Sequence, residues 1–237
     1  MPSNIVVLSG AGISAESGLQ TFRDSGGLWE GHRVEDVATP EAFANNPGKV
    51  QYFYNLRRRQ LQSPEVQCNA AHSALADFER RWPGEFCLVT QNVDDLHQRA
   101  GSRRVLPMHG ELLRSRCSAC AALATCTIDL DQHSRCESCN SIGTLRPHVV
   151  WFGEMPLYMD EIEQALAACD LFVSIGTSAA VYPAAGFTQI ARSVGARTVE
   201  LNLEPGHTAA LFDESAYGAA TNIVPQYFSG LLAQAPR

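Results

Sequence analysis

The sequence has no excess of positive charge and no hydrophobic run suited to a membrane. Its formal net charge is −7, whereas proteins that bind nucleic acid usually present a basic face, so we expect no nucleic-acid partner. The uncharged stretch 171–191 contains glycine, proline and several hydroxyl side chains, which make it too polar and too broken for a spanning helix. Residues 1–4 lack the basic side chains that begin a signal peptide. We expect a cytoplasmic protein without a membrane partner, and a monomer.

The second strand of a dehydrogenase-type nucleotide-binding unit is also missing. Residues 5–8 (IVVL) are typical of a buried parallel strand and run directly into GAGISA at residues 10–15. Glycines and small residues there let the backbone approach a pyrophosphate at the start of the next helix, which predicts a bound dinucleotide. A redox enzyme of this type needs a second strand with an acidic end about 20 residues later, but residues 16–38 contain no β-branched run. The loop is therefore expected to fold over a cofactor that does not serve as a hydride carrier.

Disulfide bonds are not expected, although the chain has eight cysteines, because a cytoplasmic protein keeps its thiols reduced. Four of the cysteines form two Cys-x-x-Cys pairs separated by fifteen residues, a spacing typical of zinc sites. Four thiolates fill a tetrahedral shell and leave no position for water or substrate, so the predicted zinc is structural. Cys126 lies between the pairs without a paired partner, and Cys68, Cys87 and Cys169 are interpreted as ordinary buried thiols. The predicted zinc ligands are Cys117, Cys120, Cys136 and Cys139.

Apolar strands alternate with helical patterns along most of the chain, which predicts an α/β fold with a Rossmann-like, doubly wound parallel sheet. We assign residues 1–31, 76–110 and 149–237 to this nucleotide-binding domain. Residues 32–75 are helical with proline breaks, and residues 111–148 hold the cysteine pairs. Both interrupt the alternation, and we expect this helical insertion and zinc-ribbon module to form a smaller lobe. The predicted strands are 5–8, 86–90, 105–108, 171–175, 198–203 and one near 222–224, and the predicted helices include 70–81, 160–168 and 183–194.

Polar side chains follow two of the predicted strands, at the end of the sheet where open α/β folds bind their ligands. Gln91, Asn92 and Asp94 follow the second strand and could hold a ribose and a carboxamide. His109 follows the third strand, and because an imidazole titrates near neutrality it could act as a general base. Each feature also has a structural interpretation, since Asn-x-Asp is commonly a turn or a helix cap. His97, inside the helix that follows, is interpreted as structural.

Together with TFR at 21–23, GTS at 176–178 and NLE at 202–204, these motifs resemble one family over essentially the whole chain. That family is the sirtuins, which consume NAD to remove acyl groups from protein lysines. One departure is Gly18-Leu19-Gln20, where many sirtuins have Gly-Ile-Pro, and the missing proline should loosen the loop without removing a reactive group. The motifs that occur in the same order as in sirtuins are GAGIS at 10–14, TFR at 21–23, TQNVD at 90–94, His109-Gly110, the two cysteine pairs, GTS at 176–178 and NLE at 202–204.

The resemblance implies that NAD is a co-substrate and that the loop after the first strand covers it. Phe22 would shield the nicotinamide–ribose bond from water, and Arg23 would pair with phosphate. Asn92 and His109 would be the catalytic residues. The implied NAD-binding residues are Gly10, Ala11, Gly12, Ser14, Ala15, Thr21, Phe22, Arg23, Trp29, Gln91, Asn92, Val93, Asp94, Gly176, Thr177, Ser178, Asn202, Leu203, Glu204 and Ala220.

The reaction implied by the resemblance is a substitution. The acyl oxygen of a modified lysine would attack the nicotinamide ribose, and His109 would then deprotonate the ribose hydroxyls. The products would be free lysine, nicotinamide and 2′-O-acyl-ADP-ribose, and the partners would be acyl-lysine proteins. The substrate backbone would pair with a strand edge at residues 150–154. The implied substrate-binding residues there are Val150, Trp151, Phe152 and Gly153.

A further pair of residues indicates which acyl group is removed. A helix predicted over residues 51–61 places Tyr54 and Arg57 on one face, where a hydroxyl and a guanidinium can bind a carboxylate. Tyr-x-x-Arg resembles the signature of class III sirtuins, which remove succinyl and malonyl groups as well as acetyl. Without that resemblance, the arginines would be a solvated helix face and Tyr54 part of the packing. Arg58 and Arg59 point elsewhere on the helix and are expected at the surface.

Two other functions remain compatible with these motifs. The same NAD site could transfer ADP-ribose to a protein, in which case the acceptor would gain ADP-ribose instead of losing an acyl group. Alternatively, the zinc module could make the protein a docking factor for nucleic acid or protein with a vestigial nucleotide-binding core. The acidic net charge and the intact Asn92, Asp94 and His109 favour the deacylase over the docking factor.

Overall fold

The computed structural model describes residues 2–20, 28–29, 31–178, 181–206 and 208–234, with only the backbone of residues 28–29. The strands are β1 (Asn4–Ser9), β2 (Leu28–Trp29), β3 (His32–Arg33), β4 (Glu85–Thr90), β5 (Val105–Pro107), β6 (Gly110–Cys117), β7 (Leu123–Thr125), β8 (Leu145–Val149), β9 (Leu171–Ile175), β10 (Arg197–Asn202) and β11 (Glu214–Tyr217). The helices are α1 (Val34–Val37), α2 (Pro40–Asn45), α3 (Pro47–Leu61), α4 (Ala70–Arg81), α5 (Leu96–Arg99), α6 (Met159–Ala167), α7 (Phe187–Ser193) and α8 (Ala220–Gln234).

The main sheet is parallel and has the strand order β11-β10-β9-β1-β4-β5. Strand β1 lies at its centre, and its side chains alternate between two apolar cores. Ile5 and Val7 pack with α4 and α8 on one face, while Val6 and Leu8 pack with α6 and α7 on the other. Burial on both faces explains why these strands have continuous apolar sequences. The predicted doubly wound α/β fold is confirmed.

Five of the six predicted strands are confirmed to within a residue or two, but the strand near 222–224 is wrong. Those residues belong to α8, where Val224, Phe228 and Leu231 are buried against the sheet. These residues are four and three positions apart, which places them on one face of a helix. The β-branched pair Ile223-Val224 favoured a strand and led to the wrong prediction. The sixth strand is instead β11, whose sequence ESAY is mostly polar because it lies at the edge of the sheet.

The smaller lobe combines α1–α3 with the antiparallel sheet β7-β6-β8. Helix α4, by contrast, packs against α8 in the core of the main sheet, so the predicted domain boundary at residue 75 falls inside this helix. The division of the chain into domains stays a prediction. None of the described helices combines the length and the apolar character that a membrane crossing needs.

Helix α3 contacts the zinc module through Asn55 and Arg58, and the predicted position of Arg58 is wrong. Arg58 was expected at the surface, but it is fully buried and donates to the Leu112 carbonyl (3.3 Å) and to Asn55 Oδ1 (2.7 Å). Asn55 in turn pairs with both the N–H (2.9 Å) and the carbonyl (2.8 Å) of Leu130. These bonds partly compensate for burying a guanidinium, and both Leu112 and Leu130 lie more than 50 residues from the helix residue that each contacts. Arg59 is exposed, as expected, and pairs with Asp129.

Candidate functional site

A cavity of about 1220 Å³ opens where the carboxyl ends of β1, β4, β9 and β10 meet the smaller lobe. Ligands of open α/β sheets bind at this edge, and the cavity brings most of the predicted site residues together. Thr21, Phe22 and Arg23 lie outside the described residues, as does the side chain of Trp29. The predicted residues that line the cavity are Gly10, Ala11, Gly12, Ser14, Ala15, Tyr54, Arg57, Gln91, Asn92, Val93, Asp94, His109, Val150, Trp151, Phe152, Gly153, Gly176, Thr177, Ser178, Asn202, Leu203, Glu204 and Ala220.

The glycines of the first motif let two loops interlock. The Gly12 N–H donates to the Gly176 carbonyl (2.8 Å), and a Cβ added at Gly12 would lie 2.7 Å from the Gly176 Cα. Gly176 itself has φ = +58°, a conformation that other residues seldom adopt. Larger side chains would therefore push the loop after β1 away from the loop after β9. Contact with a pyrophosphate, the reason first given for these glycines, stays a prediction.

Beneath that loop, a buried hydrogen-bond network fixes the polar groups that follow β4. Asn92 Nδ2 donates to the Gly10 carbonyl (3.2 Å) and to Ser14 Oγ (3.1 Å). The Ser14 hydroxyl donates in turn to Asp94 Oδ2 (3.0 Å). Burial raises the pKa of Asp94, while the hydrogen bonds from the Leu96 N–H and Ser14 act against that rise. The loop after β1 and the loop after β4 thus form one polar surface of the cavity.

His72 was not predicted as a site residue, yet it contacts this network at Ser14. Its Nδ1 accepts the N–H of Asn69 (3.2 Å), so the proton of the neutral ring lies on Nε2, 3.4 Å from Ser14 Oγ. Burial lowers the pKa of His72 to about 4, which keeps the ring neutral. The sequence feature that could have identified His72 is Asn69, three residues earlier. Asn69 caps α4 and forms a capping box with His72.

His109 lies at the corner between β5 and β6, and its ring faces the cavity. The Nδ1–H donates to the Gln91 carbonyl (2.9 Å), which leaves Nε2 of the neutral ring as the proton acceptor. Burial lowers the pKa of His109, and the hydrogen bond to Gln91 partly opposes this shift. The corner requires Gly110, since φ there is +84° and a Cβ would overlap the His148 carbonyl oxygen. The arrangement suits a general base that is neutral at physiological pH.

Next to His109, polar side chains connect the carboxyl ends of β4, β9 and β10. Gln91 Nε2 donates to Thr177 Oγ1 and Asn202 Nδ2 donates to the Thr177 carbonyl, both at 3.0 Å. Glu200, which was not predicted as a site residue, is a buried carboxylate that accepts hydrogen bonds from the Gly206 N–H (3.1 Å) and the Tyr217 hydroxyl (3.0 Å). Glu200 fixes the loop after β10. The sequence feature that could have identified it is a charged residue inside the otherwise apolar strand TVELN.

Tyr54 and Arg57 lie one turn apart on α3, as predicted, and both line the cavity. Tyr54 is fully buried, and its oxygen accepts the indole N–H of Trp151 (2.9 Å). Burial raises the pKa of Tyr54 far above its usual value, so the phenol stays protonated. The Arg57 guanidinium lies over the Phe53 ring, 3.8 Å from its centre, and donates to the Phe53 carbonyl (2.8 Å). These contacts orient the guanidinium.

The strand edge expected at residues 150–154 is wrong. Strand β8 ends at Val149, and residues 152–154 form a turn. The N–H groups of Phe152 and Glu154 bond to the carbonyls of Ala38 and Trp151 at 3.0 and 2.9 Å, so they are already used within the chain. Pairing of a substrate backbone at this position, and the substrate-binding role of residues 150–153, stay predictions.

The four predicted zinc ligands form one cluster. Their sulfur atoms all lie within 4.8 Å of one another, close enough for a single tetrahedral ion. The two Cys-x-x-Cys pairs have the same local geometry: the residue after each pair, Ala121 or Asn140, has φ near +60° and bonds to the carbonyl of the pair's first cysteine. Two matching thiolate pairs fit a structural zinc. Cys126 is outside the cluster, as predicted, with its sulfur near the Ile128 carbonyl. The cysteines of this cluster are Cys117, Cys120, Cys136 and Cys139.

The variant Cys139→Ser is expected to lose zinc and to unfold at a clearly lower temperature. Zinc binds only the folded arrangement of thiolates, and a metal present at a thousandfold excess over Kd stabilises a fold by about 4 kcal/mol. The matched control is Cys126→Ala, which removes a neighbouring thiol that lies outside the cluster. Zinc content by atomic absorption and thermal unfolding by circular dichroism measure both effects. Full zinc occupancy in Cys139→Ser would contradict the ligand assignment.

Comparison with known proteins agrees with this geometry. A model of the Sir2 family matches residues 10–183. The chain is 57% identical over 228 residues to a protein from Salmonella typhimurium and 55% identical to one from Pasteurella multocida, both described as NAD-dependent protein deacylases. These matches cover 96% of this chain and 84% and 97% of the two relatives.

Two solved structures share the fold over nearly the whole chain. One is a Sir2 homologue bound to NAD, with a TM-score of 0.87 and 38% identity over 98% of this chain and 91% of that one. The other is a mutant Sir2 homologue bound to ADP-ribose, with a TM-score of 0.89 and 37% identity over 100% of this chain and 96% of that one. Both complexes contain a ligand of the chemical class that the cavity motifs predict.

Proposed function

The chain belongs to the Sir2 family and is an NAD-dependent protein-lysine deacylase, and from this premise we propose that it removes acidic acyl groups, succinyl and malonyl, as well as acetyl groups. The observation that carries the proposal is the pair Tyr54 and Arg57 on the cavity wall of α3. A protonated phenol and an oriented guanidinium together can bind a carboxylate that an acetyl group lacks.

The surroundings of this pair support a selective site. Leu61, Leu112 and Val149 also line this part of the cavity and belong to the apolar core of the smaller lobe. A carboxylate that enters such surroundings loses water and has to be compensated by charge and hydrogen bonds. Arg57 supplies the charge and Tyr54 a directed hydrogen bond, whereas an acetyl group needs neither.

The chain's own residues also fit the chemistry of acyl transfer from lysine. NAD supplies the electrophilic ribose carbon when it is bound. We assign to His109 the removal of a proton from a ribose hydroxyl through Nε2, because Nδ1 is already used by the Gln91 carbonyl. We assign to Asn92 and Asp94, which are both hydrogen-bonded to Ser14, the binding of the ribose and the carboxamide. The NAD contacts of residues 21–23, the cytoplasmic location and the monomeric state remain predictions.

One experiment tests the acyl preference directly. A single peptide is prepared with acetyl-, malonyl-, succinyl- or butyryl-lysine, and kcat/KM is measured with NAD. Butyryl is the matched control, because it has the length of succinyl without its carboxylate. We expect succinyl to exceed butyryl by at least about tenfold, since a hydrogen bond to a charged group contributes about 1.5–3 kcal/mol. Equal turnover of the two would contradict the proposal, and a peptide that gains ADP-ribose by mass spectrometry would indicate a transferase.

A further inference from the structure

We infer that Trp151 is a positioning residue for acyl recognition: its indole N–H orients the Tyr54 hydroxyl so that this hydroxyl donates its proton to the acyl carboxylate. The inference rests on the proposed removal of acidic acyl groups and adds a residue that acts through Tyr54 rather than on the substrate. It also changes the expected role of Trp151, which the sequence placed on a strand edge for the substrate backbone.

The direction of this hydrogen bond follows from the chemistry of the two groups. An indole nitrogen is a donor only, whereas a phenol oxygen both donates and accepts. At 2.9 Å the Trp151 N–H must therefore donate to the Tyr54 oxygen. The proton of the phenol then cannot point at the indole nitrogen, so the hydroxyl donates in another direction. Both rings are almost fully buried, with 0% and 2% of their surfaces exposed, which prevents bulk water from replacing the indole.

A separate set of contacts holds Trp151 in this orientation. The Arg146 guanidinium stacks on the indole ring, 3.3 Å from its centre, and forms two hydrogen bonds to the Glu154 carboxylate at 2.6 and 2.9 Å. The same carboxylate accepts the backbone N–H of Trp151 (2.8 Å). The centre of the Phe43 ring lies 5.3 Å from the centre of the indole. The indole is therefore fixed by its ring face and by its backbone, and it presents one N–H in a single direction.

The protonation state of Tyr54 is compatible with this role. Burial raises the pKa of Tyr54, and the hydrogen bond from Trp151 acts in the opposite direction without cancelling the rise. The phenol is therefore a donor at every pH at which the enzyme is expected to work. A carboxylate is an acceptor only, so the orientation set by Trp151 matches an ionised acyl group. An acetyl group has no carboxylate, and its turnover should not depend on the indole N–H.

The test compares Trp151→Phe with Trp82→Phe in the full-length, zinc-loaded protein. Both substitutions remove one indole N–H and keep an aromatic ring. Trp82 is also buried, but it stacks on Phe78 in the core of the main sheet, away from the cavity. Acetyl and succinyl forms of one peptide are assayed with NAD, and thermal unfolding and zinc content are measured for each variant.

We expect Trp151→Phe to reduce kcat/KM for the succinyl peptide about fivefold, mostly through KM, because a neutral hydrogen bond contributes about 1 kcal/mol. The ratio of succinyl to acetyl turnover should fall, and Trp82→Phe should leave this ratio unchanged. In a Tyr54→Phe background, Trp151→Phe should add no further loss in that ratio, because the group through which it acts is gone. Equal losses on both substrates, or an additive loss in the double variant, would overturn the inference.

A spectroscopic measurement decides the case even if Trp151→Phe folds poorly. The chain has three tryptophans, so a protein labelled with ¹⁵N-tryptophan gives few indole signals, and the variants assign them. The signal of Trp151 should shift when the succinyl peptide binds and stay in place with the acetyl peptide, while that of Trp82 responds to neither. An unresponsive Trp151 signal in a protein that turns over succinyl-lysine would overturn the inference alone. Absence of succinyl turnover in the unchanged protein would overturn the proposed acyl preference on which it rests.

Discussion

Replacing His109 with tyrosine is expected to lower NAD-dependent deacylation by between about a hundredfold and ten-thousandfold, the usual contribution of a positioned general base. The imidazole Nε2 accepts the ribose proton in the proposed reaction, and a phenol is a much weaker acceptor at neutral pH. The fold should be retained, because the corner is maintained by Gly110 and by the backbone hydrogen bonds of β6 to β8. Turnover of one acyl-lysine peptide under saturating NAD measures the effect.

The matched control is His133→Tyr, which changes an exposed histidine of the zinc module. It should keep full activity, and both variants should retain zinc and unmodified circular dichroism spectra. The pH profile adds a second readout. A base works in its neutral form, and burial lowers the pKa of His109, so kcat should fall only below about pH 6.5, the ordinary imidazole value. Near-normal turnover by His109→Tyr would show that another group is the base.

The parts of the fold that the sequence predicts well are those whose signals are local. Helix α4 has its capping residue, Asn69, directly before its first turn and a break at Trp82-Pro83 after its last. The residues at the ends of β1, β4 and β9 come together because carboxyl ends of parallel strands share one edge of a sheet. A sequence in which each motif follows an apolar strand therefore predicts one cavity, and the resemblance to sirtuins supplied many of the further residues that line it.

The predictions that failed depended on contacts far along the chain. Arg58 belongs to a run of three arginines and was expected in solvent, but its partners at Leu112 and Leu130, through Asn55, come from the zinc module. The bend after β8 arises because Glu154 turns back to bind Arg146 and the Trp151 amide. Neither arrangement produces a regular pattern of apolar and polar residues in the sequence. In each case a side chain bonds to a backbone group or a charged side chain that lies in another part of the fold.

Replacing Arg57 with methionine is expected to reduce kcat/KM for the succinyl peptide by at least about tenfold and as much as a hundredfold, the range expected for a lost hydrogen bond to a charged group. Methionine keeps an unbranched apolar stem that can still cover the Phe53 ring, but it offers no positive charge to the acyl carboxylate. The loss should be seen mainly in KM. Acetyl turnover should change less than threefold.

Arg59→Met is the matched control, because Arg59 lies on the same helix but is exposed and pairs with Asp129. It should leave both substrates unaffected. The ratio of succinyl to acetyl turnover is the decisive quantity, since any general loosening of α3 would lower both together. Losses of equal size on the two substrates would mean that Arg57 maintains the helix and binds no carboxylate. A selective loss, accompanied by improved turnover of the butyryl peptide, would identify the guanidinium as the group that distinguishes an acidic acyl chain from a neutral one of the same length.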